Sequence, residues 1–493
     1  MGYNLSMFLP ALSSALQFLS FPPAELHYFA FVALVPFFVF LYRETSVKKI
    51  IAGILIYRTV FLLLVGSYIP DPLLLFFELL FFLPFIVLVI LLKRYSIKSL
   101  FFISVVSIAY LLSEIFAARF APLPSFVVLS GLPLAATPFI YLVKLGGVYA
   151  TSVFSVLVNA IFSGIFIISR SKKVLYFFLT IVIIFLLGLG INKMSDPALT
   201  GKFLHIAVIS TGKAYDDGSK IDISKEGSQA ELNNFIDKTL GDVDKKLGDY
   251  QPDLIVLPEH FIDLLLLDDT NIEAREKFGI INAGTILSHY QSFAKAHNTA
   301  ILASLRTYGV DHKKRQSAIL IDKEGNLSAI SDKYYLTVGS ETWPFGKWIP
   351  FYWKYSLRFL PPETREEAFI ALSPTGQYAQ AEKPFSHISF SDITIGTLLC
   401  SEGHYPLAYQ ELKEKGADIF INTSNNTWLS FAGEQYKKEA LWLRQIYAVS
   451  SGKPIIIAGK NDLAGIIYPD GSFEGLSPKK SDTIVLFTKD IRL

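Results

Sequence analysis

The chain has 493 residues; 52% are hydrophobic, 14% aromatic and only 18% charged. This composition excludes a disordered chain, a collagen, a coiled coil and a disulfide scaffold. The net charge of +2 divides unevenly, with 13 Lys/Arg against 6 Asp/Glu in residues 1–199 and 32 against 37 in residues 200–493.

The first region reads as a membrane protein. A hydrocarbon core about 30 Å thick needs about 20 apolar residues in a helix. Seven segments meet or approach that length: Leu5–Phe21, His27–Tyr42, Ile50–Gly66, Pro72–Leu92, Ser99–Ala117, Pro138–Ile168 and Val174–Ile191. The sixth contains Gly146-Gly147, which leaves its start open. Between the fifth and sixth, Pro122, Pro124 and Pro133 break an apolar stretch and predict a re-entrant or surface-lying segment. Charges within the spans are few: Arg58, Glu78, Glu114 and Lys144. Each reads as snorkelling or pairing, or as a functional group in lipid.

Basic residues in short loops set orientation. Arg43, Lys48, Lys49, Lys93, Arg94, Lys98, Arg170, Lys172 and Lys173 fall in three alternate loops, and only Arg119 falls in the others. The three basic loops and the N-terminus are therefore expected on the cytoplasmic side. Seven spans then place everything after Ile191 outside. The expected organisation is a membrane bundle over 1–193, a linker over 194–201 and a soluble domain over 202–493.

From about Lys202 short β-branched runs alternate with amphipathic helical stretches, the pattern of an α/β domain. Strands are predicted at Phe203–Ile209, Leu254–Leu257, Ala300–Ser304, Ala318–Asp322, Ile393–Leu399, Ile419–Asn422, Ile455–Ala458, Gly465–Tyr468 and Thr483–Phe487. Helices are predicted at Ser228–Leu247, Asn282–Ala296, Leu407–Lys415 and Gly433–Ser451.

The chain has one cysteine, Cys400. It follows a predicted strand and enters a turn, where functional groups gather in open α/β sheets. A small buried hydrophobe and a nucleophile are both compatible with that position. Glu259 closes the aliphatic run Leu254-Ile255-Val256-Leu257-Pro258, and Lys333 follows a strand pair ending near Ile330. Taken alone, Lys333 reads as an edge or surface residue. Together the three form a workable nucleophilic set: a thiol, a carboxylate to take its proton and an ammonium to meet an oxyanion.

These residues resemble the nitrilase superfamily, and the whole chain is similar to the bacterial apolipoprotein N-acyltransferase family. The matching stretches are Pro252–Glu259, Asp332–Leu336 and Leu399–Glu402, with Glu341 and Glu402 at the offsets of two further family glutamates. Asn422-Thr423-Ser424-Asn425-Asn426-Thr427-Trp428, Gly452-Lys453-Pro454, and Leu145–Tyr149 with Asn159 also match in order. Val338-Gly339-Ser340 before Glu341 departs from the family pattern. The resemblance implies a four-layer αββα sandwich fused to a membrane-helix bundle in the bacterial inner membrane, with the sandwich on the extracytoplasmic side. It implies transfer of an acyl chain from phospholipid to the N-terminal amine of a diacylglyceryl lipoprotein. Cys400 would carry the acyl group as a thioester, Glu259 would be the base and Lys333 would stabilise the oxyanion. Glu341 and Glu402 would support the site.

Leu264–Leu267 and the aromatic run from Trp343 through Trp348 to Trp353 are expected to form a lid, or alternatively an interface belt. Trp428 and Asn425 are further substrate-contact candidates. The eight histidines lack ligand spacing, so no metal is expected, and without a phosphate-cradling glycine loop no cofactor is expected. The acidic second region makes nucleic acid a poor partner. A membrane-anchored nitrilase-like amidase, an acyltransferase on another amine and an inactive nitrilase-like binding scaffold are the alternative readings.

Overall fold

A computed structural model describes residues 3–65, 80, 82–95, 99–120, 129–167, 201–212, 214–215, 228–262, 284–308, 313–337, 341–342, 378–382, 387–427, 433–479 and 481–493. The chain forms two compact units, residues 1–197 with 431–450, and residues 198–430 with 451–493.

The first unit is helical: α1 (Tyr3–Ser20), α2 (Val35–Arg43), α3 (Val47–Val65), α4 (Leu83–Arg94), α5 (Ser99–Phe120) and α6 (Ala150–Ile167). Among the described residues, windows in α5 and α6 are long and apolar enough to cross a membrane. The predicted second span is instead a 3₁₀ turn, His27–Phe31, followed by α2, with Pro36 in the first turn where its missing N–H costs nothing. The predicted sixth span is also divided. A 3₁₀ turn (Pro138–Leu142) and a single helical turn (Val143–Gly146) precede α6, and the break falls at Gly147, φ +71°. The last predicted span, Glu78 and nearly all of the predicted linker lie outside the described residues.

Aromatic side chains fill the core of this unit: Phe37, Phe38, Tyr57, Phe82, Phe85 and Tyr110 are all buried. Polar groups on α5 and α6 hold the non-helical segments. Asn159 Nδ2 donates to Ala30 O (2.6 Å) while its Oδ1 accepts from Leu34 N (2.8 Å). Glu114 accepts from the Ser130 backbone N–H and hydroxyl, the latter at 2.9 Å. Arg58 is fully buried, with its guanidinium 4.4 Å from the Phe82 ring centre.

The second unit is a sandwich. Its elements are β1 (Phe203–Thr211), α7 (Ser228–Leu247), β2 (Leu254–Glu259), α8 (Gly284–His297), β3 (Ala300–Tyr308), β4 (Lys314–Ile321), β5 (Leu327–Asp332), β6 (His387–Phe390), β7 (Ile393–Leu399), α9 (Pro406–Glu414) and β8 (Ile419–Asn425). After α10 (Gly433–Ser451) come β9 (Ile455–Lys460), β10 (Ala464–Ile467), β11 (Phe473–Leu476) and β12 (Ile484–Arg492). By its contacts α10 belongs to the first unit, where Trp442 packs against His27 and Lys438 pairs with Glu25.

The strands form two halves, β5-β4-β3-β2-β1-β12 and β6-β7-β8-β9-β10-β11, joined at the single bridge Thr211↔Lys460. Strands buried on both faces read as continuous apolar runs, and β2 shows why. Leu254 and Val256 enter the core shared by the two halves, whereas Ile255 and Leu257 enter the core under α7 and α8. On α7, Leu232, Ile236, Leu240, Val243 and Leu247 form the matching stripe. On the other side α9 covers β7 and β8, with Tyr409 edge-on to Phe420 at 5.1 Å. The layers therefore run helix, sheet, sheet, helix.

At Gly396, β7 leaves little room for a side chain against α9. A Cβ on Gly396 would lie 3.0 Å from Phe420 Cδ1 and 3.1 Å from Leu412 Cδ1. Gly396→Val is expected to destabilise the chain by about 1–3 kcal/mol through overpacking. Thermal unfolding followed by intrinsic fluorescence checks this, and an unchanged transition would contradict it.

Candidate active site

Three strand ends supply the predicted residues. Glu259 ends β2 and is 3% exposed. The parallel register between β2 and β3 slips at this point, between Val256 and Glu259. The next residue, His260, has φ +52°. Lys333 follows β5 directly and is also buried, with its backbone N–H donating to Gln316 O at 2.8 Å. Cys400 follows β7 and opens a 3₁₀ turn, Cys400–His404. Its φ of +50° is a left-handed conformation that costs a side-chain-bearing residue on the order of 1–3 kcal/mol. Part of its surface stays accessible.

The site is closed by carboxylates. Lys333 Nζ meets Glu341 Oε1 at 2.7 Å, and Glu341 Oε2 accepts from Thr337 N at 2.7 Å. Glu402 accepts backbone N–H groups from Leu399 (2.9 Å), Tyr334 (2.7 Å) and Tyr335 (3.1 Å). One side chain thus ties the cysteine turn to the segment carrying Lys333. The Thr337 and Ser401 hydroxyls, 2.8 Å apart, add a second tie. Asn422 Nδ2 donates to Leu398 O at 3.0 Å behind the cysteine. Gly403 is required there, since a Cβ would lie 2.3 Å from Asn422 Oδ1.

These groups sense one another's charge. Burial raises the Cys400 thiol pKa well above its ordinary value; Glu259 and Glu341 add to the rise, and Lys333 and the Asn425 backbone N–H oppose it. Burial works to lower the Lys333 pKa, but the carboxyl groups of Glu341, Glu259 and Glu402 outweigh it and hold the ammonium charged. Burial pushes the Glu402 carboxyl up to about 7, against the pull of Lys333 and its three backbone donors. The resting arrangement is therefore a neutral thiol, a firm cation and several carboxylates in one pocket. That set can remove a thiol proton in concert with attack and meet a developing oxyanion with a positive charge.

Glu259, Lys333, Cys400, Glu341 and Glu402 lie close enough for their charges to interact, and the Asn425 backbone N–H reaches Cys400. Trp343, Trp348, Trp428 and Leu264–Leu267 lie outside the described residues. No group of three or more metal-ligating side chains occurs among the described residues. Sequence reasoning missed Gln316, His260 and Asn422 as site residues. The polar pair Gln316-Ser317, lying between Lys314-Arg315 and the apolar run Ala318–Ile321, was the available signal for the first.

Residues 231–490 match the carbon-nitrogen hydrolase family. The chain belongs to that family. Residues 13–161 match the apolipoprotein N-acyltransferase N-terminal domain, so the resemblance to apolipoprotein N-acyltransferases extends over both regions. The chain is 22% identical to an apolipoprotein N-acyltransferase of Sinorhizobium medicae over 58% of this chain and 48% of that protein. With its counterpart from Geobacter metallireducens it shares 24% identity over 35% of this chain and 30% of that protein. The chain thus spans less than half the length of either of these relatives. Among solved structures, a Saccharomyces cerevisiae member of the nitrilase superfamily is 14% identical, with TM-score 0.40 over 60% of this chain and 92% of that one.

The Glu402 shift has a testable sign. A carboxyl with its folded pKa raised from 4.5 to about 7 contributes stability below the lower value and loses it as pH rises through the higher. Unfolding free energy of the parent chain, relative to Glu402→Gln, is expected to fall between about pH 4.5 and pH 7. A difference independent of pH across that window would contradict the assignment.

Proposed function

We propose that this protein is a membrane acyltransferase that moves a fatty acyl chain from phospholipid to the N-terminal amine of a diacylglyceryl lipoprotein. The observation that carries the reading is the convergence of Glu259, Lys333 and the sole cysteine at three strand ends, in a chain matching both family domains. Glu259 takes the Cys400 proton as the sulfur attacks the phospholipid ester carbonyl. Lys333 faces the tetrahedral oxyanion, which collapses with cleavage of the ester C–O bond. Glu259 returns the proton to the departing lysophospholipid oxygen, leaving an acyl-thioester on Cys400. The lipoprotein amine then attacks the thioester and gives its proton to Glu259. The thiolate leaves, is reprotonated, and the N-acylated product departs.

The raised thiol pKa supports a mechanism in which proton removal accompanies attack, because little free thiolate exists beforehand. Glu341 and Glu402 keep the cation and the cysteine turn in place. The nine-to-one distribution of basic residues in the loops supports a multi-pass inner-membrane protein with the sandwich on the extracytoplasmic side. The apolar first region gives the lipid donor its place. Trp343, Trp348, Trp428 and Asn425 are the proposed contacts to the substrates.

The test is a two-substrate assay with the full chain in phospholipid micelles and a diacylglyceryl-cysteine peptide, its N-terminus read by mass spectrometry. Parent protein is expected to acylate the peptide with ping-pong kinetics. Cys400→Ser is expected to abolish transfer, and Glu259→Gln and Lys333→Met to reduce it by about 100-fold or more. Full transfer by Cys400→Ser would reject the mechanism. Release of free fatty acid with no peptide acylation would identify a hydrolase instead.

A further inference from the structure

We infer that Gln316 is a positioning residue that aims the Glu259 carboxylate, and that a directed hydrogen-bond chain through His260 sets its orientation. The inference deepens the proposed mechanism and rests on Glu259 acting as the base there.

Gln316 lies in β4 and is 1% exposed. Its Nε2 donates to Glu259 Oε1 at 3.3 Å and to Ser304 Oγ at 3.0 Å. Its Oε1 lies 2.8 Å from His260 Nε2. Its backbone carbonyl accepts the Lys333 N–H at 2.8 Å. One residue therefore touches the residue that would take the proton and the backbone of the residue that would meet the oxyanion.

The direction of the chain follows from chemistry. An arginine has donors only. Arg306 Nη2 lies 3.4 Å from His260 Nδ1, so Nδ1 accepts and the ring proton sits on Nε2. Nε2–H then donates to Gln316 Oε1, which leaves the amide NH₂ facing Glu259. An amide flipped by half a turn would put oxygen against carboxylate and N–H against N–H, losing both bonds. His260 is held in turn. Its backbone is left-handed, φ +52°, and its carbonyl accepts from the buried Lys460 Nζ at 3.1 Å. Arg306, His260 and Gln316 thus act in series, each fixing the next, and the series ends on the carboxylate.

The presence of one cysteine makes the test clean. The rate of Cys400 alkylation by iodoacetamide is measured by intact mass on the full chain in detergent micelles. This readout needs no acyl substrate. A residue acting through Glu259 has no effect once Glu259 is replaced, whereas a residue that only supports the fold slows both backgrounds alike. Gln316→Leu is expected to slow alkylation tenfold or more in the parent and less than twofold in a Glu259→Gln background. His260→Asn, which suits the left-handed backbone and keeps a donor, is expected to fall between Gln316→Leu and the parent. Gln316→Met, flexible and without donors, carries the same expectation and serves if the leucine variant does not fold. Equal slowing in both backgrounds, or no slowing in the parent, would overturn the inference. A coupled alkylation effect in a chain that never accepts an acyl group from phospholipid would uphold it and reject the proposed function instead.

Discussion

A buried ammonium governs this site. Lys333 has a side chain sealed from solvent, and a cation there is stable only beside well-placed carboxylates. Glu341 meets it directly, and Glu259 and Glu402 add their fields. Removing one partner from such a pair costs about 3–5 kcal/mol, because the other is left charged and dry. The remaining geometry follows from meeting this demand. The loop from Lys333 to Glu341 closes on itself through Thr337, and Glu402 draws the cysteine turn onto the same loop. A sulfur delivered to the end of β7 therefore sits within the field of that ammonium.

The sandwich brings these pieces together without any direct sequence contact among them. β2, β5 and β7 belong to two sheet halves that share one apolar core and, among the described residues, pair backbone to backbone in the ladder at Thr211 and Lys460. Their ends carry Glu259, Lys333 and Cys400. Two of these ends include a left-handed residue, His260 or Cys400 itself, so the chain turns sharply where the reactive groups sit. Strain of this kind persists where surrounding contacts over-determine the backbone. Here those contacts are Lys460 on the His260 carbonyl and Asn422 behind Cys400.

Much of this was legible in the sequence. Fully apolar runs such as Leu254–Leu257 mark strands covered on both faces, and the α7 stripe gives its helix bounds directly. Short or less apolar strands were harder to see. β6 and β11 alternate more and less exposed residues over four positions each, too few to establish a period. In the first region hydropathy located apolar segments but not every break: Gly146-Gly147 left the start of the sixth open, whereas the 3₁₀ turn His27–Phe31 and α2 are equally apolar and read as one span. Among site residues, those at strand ends after aliphatic runs were readable by position. Gln316 was not, because its importance comes from a hydrogen bond across to another strand and only tertiary structure supplies that neighbour.

The proposed function depends on a sulfur that accepts an acyl group. The most direct measurement is the mass of the Cys400-containing peptide after the purified full chain meets phospholipid with no amine present. The expected result is a hydroxylamine-sensitive acyl adduct on Cys400, formed in the parent and lost in Glu259→Gln. An unmodified Cys400 in folded protein, or an adduct located elsewhere, would contradict the account.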